Sequence, residues 1–273
     1  MARVALPESR LRLRKRRRLL RVVVVFVVCV LLILLGLIGL TYVPALQIKT
    51  VSVSGAQTLS SSTIAAFAGE RLRGSYWWVL PKSSIFLYPK RTIAESLMGK
   101  YPILASADVH AVDFQSIAVL VVERTPRALW CTSTNSVPST SCLLMDENGV
   151  VYADAPIFSE PVYLAYTGVL TKSTLPKQFL TPQEFQSLSA LVDAIAQKIS
   201  DERVESVQVD NVRDVRVRFV SGFTLLFSLD DHGGDVFERL ILALTAEPLT
   251  KHKLSKFEYL DLRFGDKLYY KLR

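Results

Sequence analysis

The chain has 273 residues, half of them hydrophobic, and a formal charge of +8 at pH 7. Residues 1–21 hold nine cations against one anion, while residues 22–273 carry 24 of each sign. The bulk of the chain is therefore neutral, which excludes a basic surface built for nucleic acid and assigns the excess to a tail.

From Val22 to Ile48 there is no charged residue, and Val22–Val43 is almost wholly Val, Leu, Ile, Phe and Gly. At about 1.5 Å per residue this run gives roughly 33 Å of helix, enough to cross a ~30 Å hydrocarbon core. Cations flank only its N-terminal end. The pattern predicts a basic cytoplasmic tail over residues 1–21, an uncleaved membrane helix over 22–43, and everything later outside. A cleaved signal peptide is the rival reading, but its apolar region is usually shorter, and no small-x-small site follows Leu40. Cys29 falls inside the apolar run. Cys131 and Cys142 fall outside it and bracket the Ser/Thr/Asn/Pro loop Thr132–Ser141. A bridge closing that hairpin and a pair of free thiols both remain open.

After Pro44 the periodicity turns to β. Ile48, Val51 and Val53 precede Gly55 as a strand precedes a turn. Ser60–Thr63 offers N-caps for a helix burying Ile64, Phe67 and Leu72. Pro89 opens a second helix with Ile93, Leu97 and Tyr101 on one face, stopped by Pro102. Strands follow at Ala107–Val112 and Ile117–Glu123. The order β-α-α-β-β describes a small domain with two helices on a three-stranded sheet. Between its helices, Ser75–Pro89 is unusually aromatic. Trp77 and Trp78 suit a membrane or partner surface, or core packing.

The next region is richer in hairpins. Asp146-Glu147-Asn148-Gly149 is a turn joining Leu143–Met145 to Val150–Tyr152. Thr181, Pro182 and Glu184 form a capping box for a helix whose apolar stripe is Phe185, Leu188, Leu191, Val192, Ile195 and Ile199. Strands are expected at Val204–Val209, Val215–Val220 and Thr224–Leu229, then an amphipathic helix over Asp235–Ala246. Phe257–Phe264 and Lys267–Leu272 close the chain as strands around Gly265-Asp266. In the last strand Leu268, Tyr270 and Leu272 share one face; Lys267, Tyr269, Lys271 and Arg273 share the other. Such a strand is expected at a sheet edge. It is either a protected liability or a rail for another chain.

Catalytic patterns are missing. His110, His232 and His252 stand apart, with no zinc spacing, no nucleophile elbow and no phosphate loop. Gly233-Gly234 reads as a loop hinge, and Asp230, Asp231 and Asp261 read as turn or surface carboxylates. The pattern favours binding over catalysis: no enzyme, no cofactor and no metal are expected.

The external sequence resembles the FtsQ/DivIB family of bacterial cell-division proteins. Val51–Gly55 followed by Ser60–Ala68 is similar to the start of that family's POTRA domain. Ile93–Leu97, Tyr101-Pro102, Ala107–Val109 and Ala118–Val122 are similar to its remainder. Glu123-Arg124-Thr125-Pro126-Arg127-Ala128-Leu129-Trp130 is the most specific segment. Leu143–Asp146 with Gly149–Val151 resembles the opening of the family's β domain, and Tyr259–Phe264 with Lys267–Lys271 its last two strands. The resemblance implies an α+β fold: a stalk and POTRA-like domain over 44–124, then a larger antiparallel β domain over 125–273. It implies a septal divisome scaffold in the cell membrane that helps regulate peptidoglycan synthesis. The implied partners are FtsB- and FtsL-like coiled-coil proteins, bound through Arg263, Phe264, Lys267, Leu268, Tyr269, Tyr270 and Lys271. A POTRA-type chaperone for secreted or outer-membrane clients is the alternative, disfavoured because no run of barrel strands follows. A membrane-anchored cell-wall enzyme is less favoured still.

Overall fold

Leucine, valine and isoleucine on every face define the first helix, α1, which runs Arg10–Thr41 in the computed structural model. The structure describes residues 10–132, 142–158, 160–171, 173–247, 249–265 and 267–273. Within α1, Arg18–Thr41 spans 24 residues, and its most apolar 18-residue stretch has mean hydropathy 3.4 with no residue buried. It is long and apolar enough to cross a membrane. The helix begins at Arg10, inside the basic run expected to precede it, because Arg and Leu are good helix formers and nothing there breaks the backbone ladder. Cys29 is free and exposed on it.

The chain divides into two compact units, Met1–Glu123 and Arg124–Arg273. After α1, the first unit contains β1 (Thr50–Ser54), α2 (Ser61–Arg71), β2 (Ser75–Tyr76), β3 (Leu80–Pro81), α3 (Lys90–Lys100), β4 (Leu104–Ala111) and β5 (Ser116–Glu123). Ser60 caps α2, its hydroxyl accepting the Thr63 N–H. This cap turns Ile64, Phe67 and Ala68 inward, where Ile93 and Leu97 of α3 join them. Ile117, Val119 and Val121 alternate along β5 into the same core. The sheet order is β1-β5-β4, with β1 parallel and β4 antiparallel to β5. Gly55 has φ +88, and a Cβ there would stand 2.0 Å from the Val121 carbonyl oxygen. Only glycine fits that crossing. At the same end of β5, the Glu123 carboxylate accepts N–H bonds from Gln57, Thr58 and Leu59 at 3.0, 2.9 and 3.0 Å. Burial acts to raise this carboxyl's pKa, but the three N–H donors outweigh it and hold the group below the ordinary glutamate range.

β2 and β3 form a small hairpin that the sequence did not announce. The Val79 N–H closes its turn on the Tyr76 oxygen at 3.1 Å, around Trp77 (φ +46) and Trp78 (φ +66). Non-glycine residues in this left-handed region cost of order 1–2 kcal/mol each. Both rings are exposed, so the core-packing reading of this pair is excluded.

The second unit contains β6 (Ala128–Cys131), β7 (Cys142–Met145), β8 (Val150–Asp154), β9 (Ala165–Thr167), β10 (Lys177–Gln178), α4 (Pro182–Lys198), β11 (Val204–Val209), β12 (Asp214–Phe219), β13 (Thr224–Ser228), α5 (Gly233–Thr245), β14 (Phe257–Phe264) and β15 (Lys267–Leu272). They build a ten-stranded sheet in the order β10-β8-β7-β6-β9-β11-β12-β13-β14-β15. This sheet is mixed, not the antiparallel one expected. β9 runs parallel to β6 and β11, and β13 parallel to β14. The reason is connectivity: α4 lies between β9 and β11, and α5 between β13 and β14, and a helical crossover returns the chain in its original direction. β6 and β9, by contrast, come parallel through the two antiparallel reversals at β7 and β8.

The Thr181–Glu184 capping box opens α4, which buries Phe185, Leu188, Leu191, Val192 and Ile195. α5 buries Val236, Leu240 and Ala243, and both helices join one core with the sheet. Gly233 and Gly234 form the first turn of α5, not a loop hinge, because a helix's first turn tolerates glycine better than its interior does. Cys131 and Cys142 face each other across β6 and β7 and are joined by a disulfide. Most of the loop that they bracket, residues 133–141, lies outside the described residues.

Candidate functional site

β14 leaves the sheet interior at Leu262 and turns through Gly265, whose φ of +60 suits glycine. Asp266, the other residue expected in that turn, lies outside the described residues. β15 then returns antiparallel, pairing Lys267 with Phe264, Tyr269 with Asp261, Tyr270 with Leu260 and Lys271 with Tyr259. The register slips between Asp261 and Phe264. β15 ends the sheet order, so among the described residues one side of it carries no neighbouring strand. Its outward N–H and C=O groups form an open edge.

The predicted alternation organises the side chains of this edge. Leu268 packs against the rim of the core. On the same face, Tyr270 meets the buried Phe257 edge-on at 5.8 Å. On the other face Tyr269 meets Phe264 edge-on at 5.0 Å. Phe264, Tyr269, Tyr270 and Leu272 all remain exposed over a large part of their surface. They make an aromatic rim along the open strand.

The charges are arranged differently from expectation. Arg263, named among the expected partner-binding residues, is committed within the fold. Its Nε donates to Asp261 Oδ1 at 2.9 Å, and its two terminal nitrogens bind Asp261 and Asp214. Asp261, expected on the surface, is only 5% exposed. Burial works to raise its pKa, but the guanidinium and the Arg263 N–H prevail and hold it below the ordinary range. Arg263 is held more firmly protonated by its hydrogen bond to Asp261. Lys271 pairs with Glu258 across the β14–β15 ladder at 2.6 Å, a hydrogen bond that raises the lysine's pKa. Lys267 is exposed and makes no ion pair among the described residues. Arg273 turns back from the strand, and its Nη1 donates to the Ser221 carbonyl at 2.8 Å.

The edge thus brings together Phe264, Lys267, Tyr269, Tyr270 and Lys271, with Leu268 and Arg263 turned toward the fold. Asp214 was missed in the sequence. Asp261 and Arg263 could have been paired from it, since residues two apart on a strand share a face. Elsewhere, Asp230 and Asp231 pair with Arg213 and Arg239. Among the described residues no group of three or more His, Cys, Asp or Glu side chains is gathered for a metal ion.

These features define a chain with one helix fit to cross a membrane, a three-stranded α/β unit, and a larger α/β unit with a mixed sheet open at β15. Its sequence matches no known family model and no curated protein.

Proposed function

We propose that this protein is a non-enzymatic scaffold of cell division, of the FtsQ/DivIB type, anchored in the cell membrane by α1. Its basic N-terminal tail faces the cytoplasm and both folded units lie outside, the first acting as the POTRA-like domain and the second as the β domain. The observation that carries this reading is the open β15 edge with its aromatic rim. An extended segment of another chain can pair with that edge through its main chain, while side chains such as Tyr269 and Lys267 supply selectivity. The expected guests are the external parts of FtsB- and FtsL-like coiled-coil proteins. Through them the scaffold helps regulate septal peptidoglycan synthesis.

A fluorescent fusion followed through the cell cycle, with a pulldown from detergent extract, tests this directly. The fusion is expected to gather at the division plane, and small single-pass coiled-coil proteins should co-purify with it. An even distribution around the membrane at every stage, with no such partner recovered, would reject the division role.

A further inference from the structure

The β2–β3 hairpin holds two tryptophans in the least suitable place that the first unit offers. Trp77 is 85% exposed and Trp78 96%, at the centre of a turn where both have positive φ. A turn of that kind favours Asn-Gly. Here it carries the two bulkiest side chains, strained and without packing. Hairpin stability does not account for them.

Their surroundings indicate what does. Tyr42, one residue beyond the end of α1, donates its phenol O–H to the Val79 carbonyl in the same hairpin turn. The strand leaving the hairpin is stitched to the chain leaving α1: the Ile48 N–H donates to Ser83 O at 2.8 Å, and the Ile85 N–H to Leu46 O at 3.0 Å. The tip is therefore fixed beside the end of the apolar helix. Tyr76, Val79 and Phe86 add exposed apolar surface around it. Residues 71–91 hold five cations and no anion, and Lys82 lies over the Tyr76 ring at 5.4 Å.

We infer that the Trp77–Trp78 tip is a second membrane contact, seated in the headgroup layer of the bilayer that α1 crosses. Tryptophan and tyrosine concentrate at that depth, where the ring body meets acyl chains and the N–H or O–H meets water and headgroups. The neighbouring cations face anionic phosphates. The first unit is thereby held to the lipid surface at two points. The inference rests on α1 lying in the bilayer, not on the division role.

The test uses the full chain reconstituted in vesicles of phosphatidylethanolamine and phosphatidylglycerol, with and without brominated acyl chains. Brominated lipid should quench the native emission, and aqueous iodide should reach the tip poorly. Trp77 and Trp78 are two of three tryptophans. In the W77N/W78G double variant, which suits the turn, bromolipid quenching should fall by at least about half. W77F and W78F, each leaving one tip tryptophan, should both stay quenched by brominated lipid without a change in the turn's bulk. Tip tryptophans open to iodide and indifferent to brominated lipid would overturn the inference and leave the pair as a protein-docking surface or bare solvent-facing rings.

Discussion

Both units expose aromatic rings, but by different means. In the first, Trp77 and Trp78 sit on a strained turn and make no ring contact among the described residues. In the second, Tyr269 and Tyr270 sit on an edge strand, and each keeps one ring partner, Phe264 or Phe257. A ring on a strand edge thus serves the fold with one side and is available with the other. A ring on a strained turn gives the fold nothing. The same contrast holds for the acidic groups. Glu123 is held by backbone N–H groups, whereas Asp261 is held mainly by a guanidinium.

The contrast is broken most severely at Asp261, which anchors the strand beneath the open edge. Asp261→Asn should destabilise the second unit by about 2–3 kcal/mol, since Arg263 then loses its main buried partner while staying partly solvated. Peptide-resolved hydrogen exchange should show the loss in residues 124–273 and spare the first unit. Acid should act on both units. Asp261 and Glu123 both have depressed pKa values in the fold, so their stabilisation is complete above the ordinary carboxylate range and is lost as pH falls through the depressed values. Thermal melts should change little for this reason between neutral pH and ~5, then fall below ~4. A constant melting temperature in that acid range would contradict both assignments.

A smaller effect is expected at the rim. Tyr269→Ala should weaken binding of a partner peptide by about 1–2 kcal/mol. Lys267→Glu should mainly slow association and lessen its salt sensitivity. It is a cleaner change than Lys271→Glu, which also breaks the internal pair with Glu258. Titrations of the purified protein with the peptide at two salt concentrations would separate these effects, and unchanged affinity in Tyr269→Ala would show the rim to be protected surface only. The smallest effect should have the opposite sign. In detergent, where no bilayer is present, W77N/W78G should stabilise the first unit by about 1 kcal/mol through relief of the turn. A clear loss of stability would mean that the tryptophans serve the fold after all.

Much of this arrangement was legible in the sequence wherever its cause is local. Ser60 and the Thr181–Glu184 box marked helix starts because capping is a short-range hydrogen-bonding requirement. The alternation in Lys267–Leu272 marked an edge strand because successive side chains must point to opposite faces. Long-range pairing was not legible. Turn residues signal antiparallel neighbours, but nothing in β9 or β14 signals the parallel partner that a helix carries it back to. Asp214 lies 49 residues from Arg263, and no local pattern links them. The β2–β3 hairpin escaped notice for another reason. Its turn lacks the Gly or Asn that usually reveals positive φ, so the strain that makes it interesting also hid it.

The two ends of the ten-stranded sheet are unequal. β10 has two residues, and its free side is taken by Thr171, whose N–H donates to Gln178 O at 3.1 Å while its hydroxyl accepts the Gln178 N–H. β15 has six residues and no such cover among the described ones. Fibre growth from an open sheet needs two usable ends, so that each newcomer presents a fresh template to the next. Copies of this molecule that joined β15 to β15 would close into a pair, and a guest on β15 would occupy the single long template. The sheet is therefore a chain terminator for strand addition. Under the proposed binding mode, this sheet would take one guest strand.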